Sequence, residues 1–203
     1  MKILLDLDGT LIDSRERLYK LFSYLVPQSS ISFSEYWNLK RSGMGHREIL
    51  QKFFLYSEEE ILLFEGEWFQ KIELPIWLAL DKPFDGVTDH LACLSERNEL
   101  YLITARQHEE ITLNQISSFG WVGLFHKILI TKQKVEKDVL IRSQLQTDET
   151  DWIVGDTGAD IQTGKRLGIR TAAVLSGFLS KESLQNYRPD LLINNVLEFK
   201  TRI

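Results

Sequence analysis

The sequence predicts an α/β fold in which a parallel sheet is interrupted, after its first strand, by an all-helical insertion. Short, continuous apolar runs alternate with amphipathic segments of about ten residues through the C-terminal part of the chain, which is the spacing of βαβ units. The stretch that follows the first apolar run instead has helical periodicity and no strand pattern. These two observations define a core that is continuous in space but split in sequence.

Six apolar runs are the candidate strands, and they comprise residues 3–7, 100–103, 128–130, 152–154, 171–174 and 191–193. Because they are continuous rather than alternating, they are typical of strands covered on both faces. In the insertion, Leu18, Leu21, Phe22 and Leu25 share one helical face. A capping box at Ser57, with a glutamate three residues later, opens another predicted helix. We therefore predict a core of residues 1–13 and 85–203 and a helical insertion of residues 14–84.

Composition excludes several classes of function. The chain has 203 residues, 43% hydrophobic and 26% charged, and a formal net charge of −5, so it lacks the basic excess of a nucleic-acid-binding protein. Its single cysteine allows no internal disulfide and no thiolate-rich zinc site. No apolar run is long enough to span a membrane. We expect a cytoplasmic protein with neither a nucleic acid nor a membrane as partner.

Polar side chains follow three of the candidate strands at the point where each strand ends. Asp6 and Asp8 close the first strand, Thr104 closes the run 100–103, and Asp156 closes the run 152–154, with Asp160 four residues further on. Ligands of an open parallel sheet bind beyond the carboxyl ends of its strands, so these groups should face one crevice. Converging carboxylates need a hard cation, and an all-oxygen site suits Mg²⁺.

The chain resembles the haloacid dehalogenase superfamily of hydrolases, and in particular its phosphoglycolate phosphatase-like subgroup with a helical cap. The resemblance covers nearly the whole length and depends on four motifs. DLDGT at 6–10 matches the first motif, the strand ending in Thr104 the second, and GDTGAD at 155–160 the fourth. For the third, a lysine at the head of a helix, Lys134 aligns best, with Lys132 and Lys137 as close rivals.

The resemblance implies a Rossmann-like core with a helical cap and a phosphatase mechanism. Asp6 would be the nucleophile that forms an aspartyl-phosphate, and Asp8 the general acid and base. Thr104 and Lys134 would bind the phosphoryl group. The resemblance further implies Mg²⁺ as the cofactor, with a set of ligands that comprises Asp6, the backbone carbonyl of Asp8, Asp156 and Asp160.

Two further features are candidates for substrate contact. Gly43-Met44-Gly45-His46 lies between predicted insertion helices, where such enzymes place a specificity loop, and Arg106 lies two residues after Thr104. The expected partner is a small phosphorylated metabolite. The sequence leaves open which metabolite it is, the oligomeric state, and two alternatives: a sugar-phosphate mutase on the same scaffold, and a non-catalytic protein that binds phosphorylated ligands.

Overall fold

The computed structural model describes residues 1–200, so the last three residues of the predicted core range lie outside the described residues. The chain divides into two compact units. One comprises Met1–Asp13 together with the chain from Pro83 onward, and the other comprises Ser14–Lys82. Within residues 1–200, no helix is both long and apolar enough to cross a bilayer.

The first unit contains a six-stranded sheet in which every neighbouring pair of strands is parallel. Its strands are β1 (Lys2–Leu5), β4 (Glu99–Thr104), β5 (Lys127–Ile130), β6 (Trp152–Gly155), β7 (Arg170–Val174) and β8 (Leu191–Ile193). Their order across the sheet is β5-β4-β1-β6-β7-β8, so β1 is an interior strand. Each of the six apolar runs forms a strand, which confirms the predicted fold class.

Helices accompany this sheet, and the core lies on both of its faces. They are α6 (Val87–Ser95), α7 (Glu109–Ser118), α8 (Lys137–Gln144), α9 (Gly158–Leu167) and α10 (Lys181–Gln185). Successive strand residues point to opposite faces. Accordingly, Ile3 and Leu5 belong to one buried cluster while Leu4 belongs to another. Burial on both faces explains why the strands are continuous apolar runs.

The second unit is built from α1 (Arg15–Leu25), α2 (Phe33–Arg41), α3 (His46–Phe54), α4 (Glu58–Lys71) and α5 (Pro75–Leu78). The predicted capping box at Ser57 is present at the start of α4. A buried ion pair joins α1 to the end of the unit, because Arg17 Nε lies 2.8 Å from Asp81 Oδ1. This pair connects the first helix of the unit to the segment where the unit ends.

The end of the predicted insertion is not helical. Lys82–Pro83 form a two-residue strand, β3, which pairs with β2 (Ile12–Asp13) in a separate small sheet. The prediction that residues 14–84 are entirely helical is therefore wrong for these two residues. Proline cannot continue a helix, and the amide of the next residue, Phe84, donates to the Leu11 carbonyl at 3.1 Å.

Candidate active site

Three carboxylates converge at the carboxyl edge of the parallel sheet. Asp6 directly follows β1, Asp156 directly follows β6, and Asp160 lies in the first turn of α9. All three are buried, and one oxygen of each lies within 4.8 Å of the others. Adjacent parallel strands end side by side, so a carboxylate after each strand is brought to the same place.

A lysine from α8 lies among these carboxylates. Lys137 Nζ lies 2.5 Å from Asp6 Oδ1 and 2.6 Å from Asp160 Oδ1. Its side chain is only 12% exposed. Lys137 is the first residue of α8, so the helix N-terminus directs the ammonium group towards the end of the sheet.

Lys134, the lysine that we predicted to bind the phosphoryl group, does not lie among these carboxylates, and its predicted role stays a prediction. It is exposed, and across residues 1–200 no carboxylate lies within salt-bridge distance of its ammonium group. The physical reason is the loop before α8, where Lys132 and Gln133 have φ values of 56° and 53°. This left-handed turn delays the start of the helix to Lys137, one position after its N-cap Glu136.

The GDTGAD segment orients its second aspartate by capping α9. Asp160 Oδ2 accepts hydrogen bonds from the Thr157 backbone amide at 3.1 Å and from the Thr157 hydroxyl at 2.6 Å. This is a capping box with aspartate at the third helical position. Asp160 Oδ1 is left to contact Lys137, so one side chain both starts a helix and belongs to the carboxylate cluster.

Asp156 has one carboxylate oxygen bound and one available. Its Oδ2 accepts a hydrogen bond from the Phe178 backbone amide at 2.6 Å. Its Oδ1 is buried and has no hydrogen-bond partner in the part of the chain that the structure describes. A buried carboxylate oxygen without a donor is costly unless a cation is close to it. Asp156 Oδ1 therefore fits a metal ligand.

The loop after β7 also contacts the Asp156 carboxylate, which the sequence did not indicate. Gly177 passes so close to Asp156 that a Cβ added there would overlap the Asp156 carboxylate, and the next residue, Phe178, supplies the amide described above. Gly9, at φ 81°, also lies close to the Asp156 carboxylate. Gly177 could have been noticed in the sequence, because a glycine just beyond the carboxyl end of a strand often marks a close approach of the backbone. The Phe178 amide could not, because the type of a residue does not reveal what its backbone amide binds.

The charges of the cluster are unbalanced. Burial raises the pKa of Asp6 above its ordinary value, and the nearby Asp160 and Asp8 charges add to this, while Lys137 opposes it. Burial also raises the pKa of Asp156, to which Asp6 and Asp160 contribute. Three ionised carboxylates against the single Lys137 ammonium leave two negative charges, which one divalent cation would neutralise.

The second aspartate of DLDGT points to a different partner. Asp8 accepts two hydrogen bonds from Arg106, from Nε to Oδ2 at 2.6 Å and from Nη2 to Oδ1 at 2.8 Å. Thr104 is buried at the end of β4, where its hydroxyl oxygen accepts the Arg106 amide at 3.4 Å. Asp6 and Asp8 thus contact different cationic partners, Lys137 and Arg106, and the bidentate partner of Asp8 was not anticipated.

The segment 43–46 lies in the helical unit. Its last residue, His46, is packed against neighbouring aromatic side chains. His46 Nε2 lies 2.7 Å from the Tyr36 hydroxyl, and its ring stacks on Phe22 and contacts Trp68. Burial, with a smaller contribution from Lys40, lowers the pKa of His46 and keeps the ring neutral. These contacts favour a packing role for His46 over the predicted substrate contact. Gly43, at φ 90°, forms the turn between α2 and α3.

Comparison with known proteins defines the family. The model of the haloacid dehalogenase-like hydrolases matches residues 3–174, and the chain belongs to this family. It is 28% identical to a phosphoglycolate phosphatase of Aquifex aeolicus, over 97% of this chain and 99% of that protein. It is 25% identical to the pyrophosphatase PpaX of Oceanobacillus iheyensis, over 98% of this chain and 94% of that protein.

A solved structure supports the same fold. A haloacid dehalogenase-like family hydrolase from Streptococcus pneumoniae superposes with a TM-score of 0.73 at 22% identity, covering 97% of this chain and 95% of that one. At this level of identity the similarity concerns the fold alone. The resemblance that the four motifs predicted is therefore confirmed at the level of the family.

Replacing Gly177 with alanine is expected to lower kcat/KM by about 10- to 100-fold, by analogy with the loss of a group that orients a metal ligand. The new Cβ overlaps the Asp156 carboxylate and forces it to rotate away from its present position. Gly123→Ala is the matched control, because its Cβ would meet nothing within 4 Å. If both variants retain the wild-type rate at saturating metal and at limiting metal, the role given to Gly177 is wrong.

Proposed function

We propose that this protein is a Mg²⁺-dependent phosphatase that hydrolyses a small phosphomonoester through an aspartyl-phosphate on Asp6. The observation that carries the proposal is the buried cluster of Asp6, Asp156 and Asp160 around Lys137 at the carboxyl edge of the sheet. The similarity to proteins named phosphatases supports the same reaction class.

Asp6 is the group best placed to attack phosphorus. Its carboxylate is oriented by Lys137 at Oδ1 and by the Thr10 hydroxyl, which donates to Oδ2 at 3.4 Å. In the first step, an Asp6 oxygen forms a bond to phosphorus, the bond from phosphorus to the ester oxygen breaks, and Asp8 gives its proton to that oxygen. In the second step, Asp8 takes a proton from a water molecule whose oxygen bonds to phosphorus, and the bond to Asp6 breaks.

The remaining residues of the site bind the metal ion and the phosphoryl group. Asp6, Asp156, Asp160 and the backbone carbonyl of Asp8 are the groups that would hold Mg²⁺, with the unpartnered Asp156 Oδ1 as the best-supported ligand atom. When bound, the ion screens the negative charge that otherwise opposes attack by one anion on another. Lys137 and Thr104 bind phosphoryl oxygens, and Lys137 replaces Lys134 in this role.

The test is a phosphatase assay with aryl phosphate and a panel of metabolite phosphomonoesters, in excess chelator and after MgCl₂ is restored. We expect activity only with the metal. Asp156→Asn should raise the MgCl₂ concentration for half-maximal activity by at least about 10-fold, because it replaces an anionic ligand with a neutral one. Asp148→Asn, a change at an exposed aspartate, is the control. Full activity in chelator would contradict the proposal, and transfer of phosphate between hydroxyls without release would favour the mutase alternative.

Replacing Asp8 with asparagine is expected to slow hydrolysis of alkyl phosphates by about 10²–10⁴-fold, the usual value of general acid–base catalysis. Aryl phosphates, whose leaving groups need little protonation, should lose much less in the first step and should show a burst of phenol release. Both substrate types are measured on the same variant protein, so a difference between the two losses cannot come from misfolding. Equal losses on both types would mean that Asp8 does not protonate the leaving group.

A further inference from the structure

The loop that follows β7 contacts the turn of the DLDGT segment as well as Asp156. In the sheet, β6 lies between β1 and β7, and Asp156 directly follows β6. The Ser176 hydroxyl, in the loop after β7, donates a hydrogen bond to the backbone carbonyl of Gly9 at 2.8 Å. The loops that follow β1 and β7 therefore meet beside Asp156, at the end of the strand between them.

This meeting of the two loops leaves little room for either to move. A Cβ on Gly9 would lie only 2.9 Å from Gly177 Cα and would also overlap the Asp156 carboxylate. The next residue, Phe178, donates its amide to Asp156 Oδ2 at 2.6 Å. One short segment, residues 176–178, thus binds both the turn of DLDGT and the Asp156 carboxylate.

The direction of the Asp8 carbonyl, a proposed metal ligand, depends on the conformation of Gly9. Gly9 has φ 81°, and a residue without a side chain is not held at such a value by its own sterics. A trans peptide unit is planar, so the Asp8 carbonyl and the Gly9 amide turn together. The Gly9 amide donates to the Ile12 carbonyl at 2.9 Å, and Ser176 binds the carbonyl of the next peptide unit. These two hydrogen bonds together hold Gly9 in its conformation.

We propose that Ser176 is a positioning residue for the metal site, whose hydroxyl holds Gly9 and thereby keeps the Asp8 carbonyl in place beside Asp156. This inference rests on the metal ligands given in the proposed function and adds a residue that acts on the ion only through the backbone. Without the hydroxyl, Gly9 gains conformational freedom that metal binding must remove again. The affinity for the metal should then fall, although every ligand group is still present.

The experiment measures Mn²⁺ binding without substrate, by the electron paramagnetic resonance signal of the free ion, because Mn²⁺ takes the same oxygen ligands as Mg²⁺. Ser176→Ala should raise the Mn²⁺ dissociation constant by about 10-fold, as when a partner that orients a metal ligand is lost. The MgCl₂ concentration for half-maximal phosphatase activity should rise by a similar factor, whereas kcat at saturating MgCl₂ should change much less. Ser176→Thr, which keeps the hydroxyl, should restore both values.

Ser95→Ala is the matched control. The Ser95 hydroxyl also donates to a backbone carbonyl, that of Ala92 at 2.7 Å, but it lies on the exposed surface of α6. Its loss should leave the Mn²⁺ dissociation constant at the wild-type value. The melting temperature of each variant, taken without metal, separates a loss of stability from a loss of metal affinity.

Two results would overturn the inference. An unchanged Mn²⁺ dissociation constant in Ser176→Ala would mean that the hydrogen bond serves only the fold, whatever happens to the melting temperature, and an equal loss in Ser95→Ala would remove the specific role of Ser176. If Ser176→Ala does not fold, Ser176→Cys decides, because a thiol is a weak donor and wild-type affinity in that variant would contradict the proposal. A wild type that binds Mn²⁺ but hydrolyses no phosphate ester would contradict the proposed function, while the binding constants still decide the role of Ser176.

Discussion

Replacing Asp6 with asparagine is expected to reduce turnover by at least about 10⁴-fold, the scale on which loss of a covalent nucleophile acts. Asparagine keeps the shape of the side chain and can still meet Lys137 Nζ or the Thr10 hydroxyl. Its amide nitrogen and oxygen are poor nucleophiles, so no acyl phosphate forms. The loss should appear on alkyl and aryl phosphates alike, unlike that of the Asp8 variant.

The measurement combines steady-state rates with trapping of the intermediate. Wild type that is quenched in acid during turnover should carry one phosphoryl group, which peptide mass spectrometry should locate on Asp6. The Asp6→Asn protein should carry none. Asp89→Asn, at an exposed position of α6, is the matched control and should behave as wild type. A phosphoryl group on another residue, or unchanged turnover in Asp6→Asn, would show that the nucleophile is elsewhere.

Replacing Lys137 with alanine is the second change expected to have a large effect. The ammonium group contacts both Asp6 and Asp160, and these two carboxylates raise the pKa of Lys137 although burial opposes them. Without it, kcat/KM should fall by about 10²-fold or more, as when an electrostatic donor is removed from a transition state. Lys134→Ala should leave kcat/KM almost unchanged, because that side chain is exposed.

Stability provides a second measurement on the same variants. In Lys137→Ala, the remaining carboxylates repel one another, and a divalent cation is the remaining source of positive charge. We therefore expect the melting temperature of this variant to rise with MgCl₂ more than that of wild type, as expected when a ligand binds only the folded state. The Lys134→Ala protein should match wild type. The reverse pattern, with Lys134→Ala inactive and Lys137→Ala active, would restore the original prediction.

The sheet and the carboxylates could be predicted from sequence because their signals are local. A continuous apolar run followed at once by an aspartate defines both a buried strand and the group at its end, as for β1 with Asp6 and β6 with Asp156. Which lysine lies among the carboxylates could not be predicted in this way. Three lysines lie within six residues, and a turn with two residues of positive φ determines which of them begins the helix.

The hydrogen-bond partners of Asp8 and Asp156 could not be predicted from the sequence for a different reason. Asp8 and Arg106 are 98 residues apart, and no periodicity relates them. The donor to Asp156 is a backbone amide, which every residue except proline possesses, so its location depends on the path of the loop after β7. Both contacts arise only when separate strands end at the same edge.

The interior position of β1 also has a consequence for how the protein is made. Ile3 pairs with Leu100 on one side and with Trp152 on the other. Both edges of β1 can therefore be paired only when segments about 100 and 150 residues later in the chain are present. Contacts of such long range are slow to form because loop-closure entropy opposes them. During synthesis, this early apolar segment leaves the ribosome before either of its pairing partners and stays unpaired in the sheet until β4 and β6 have emerged.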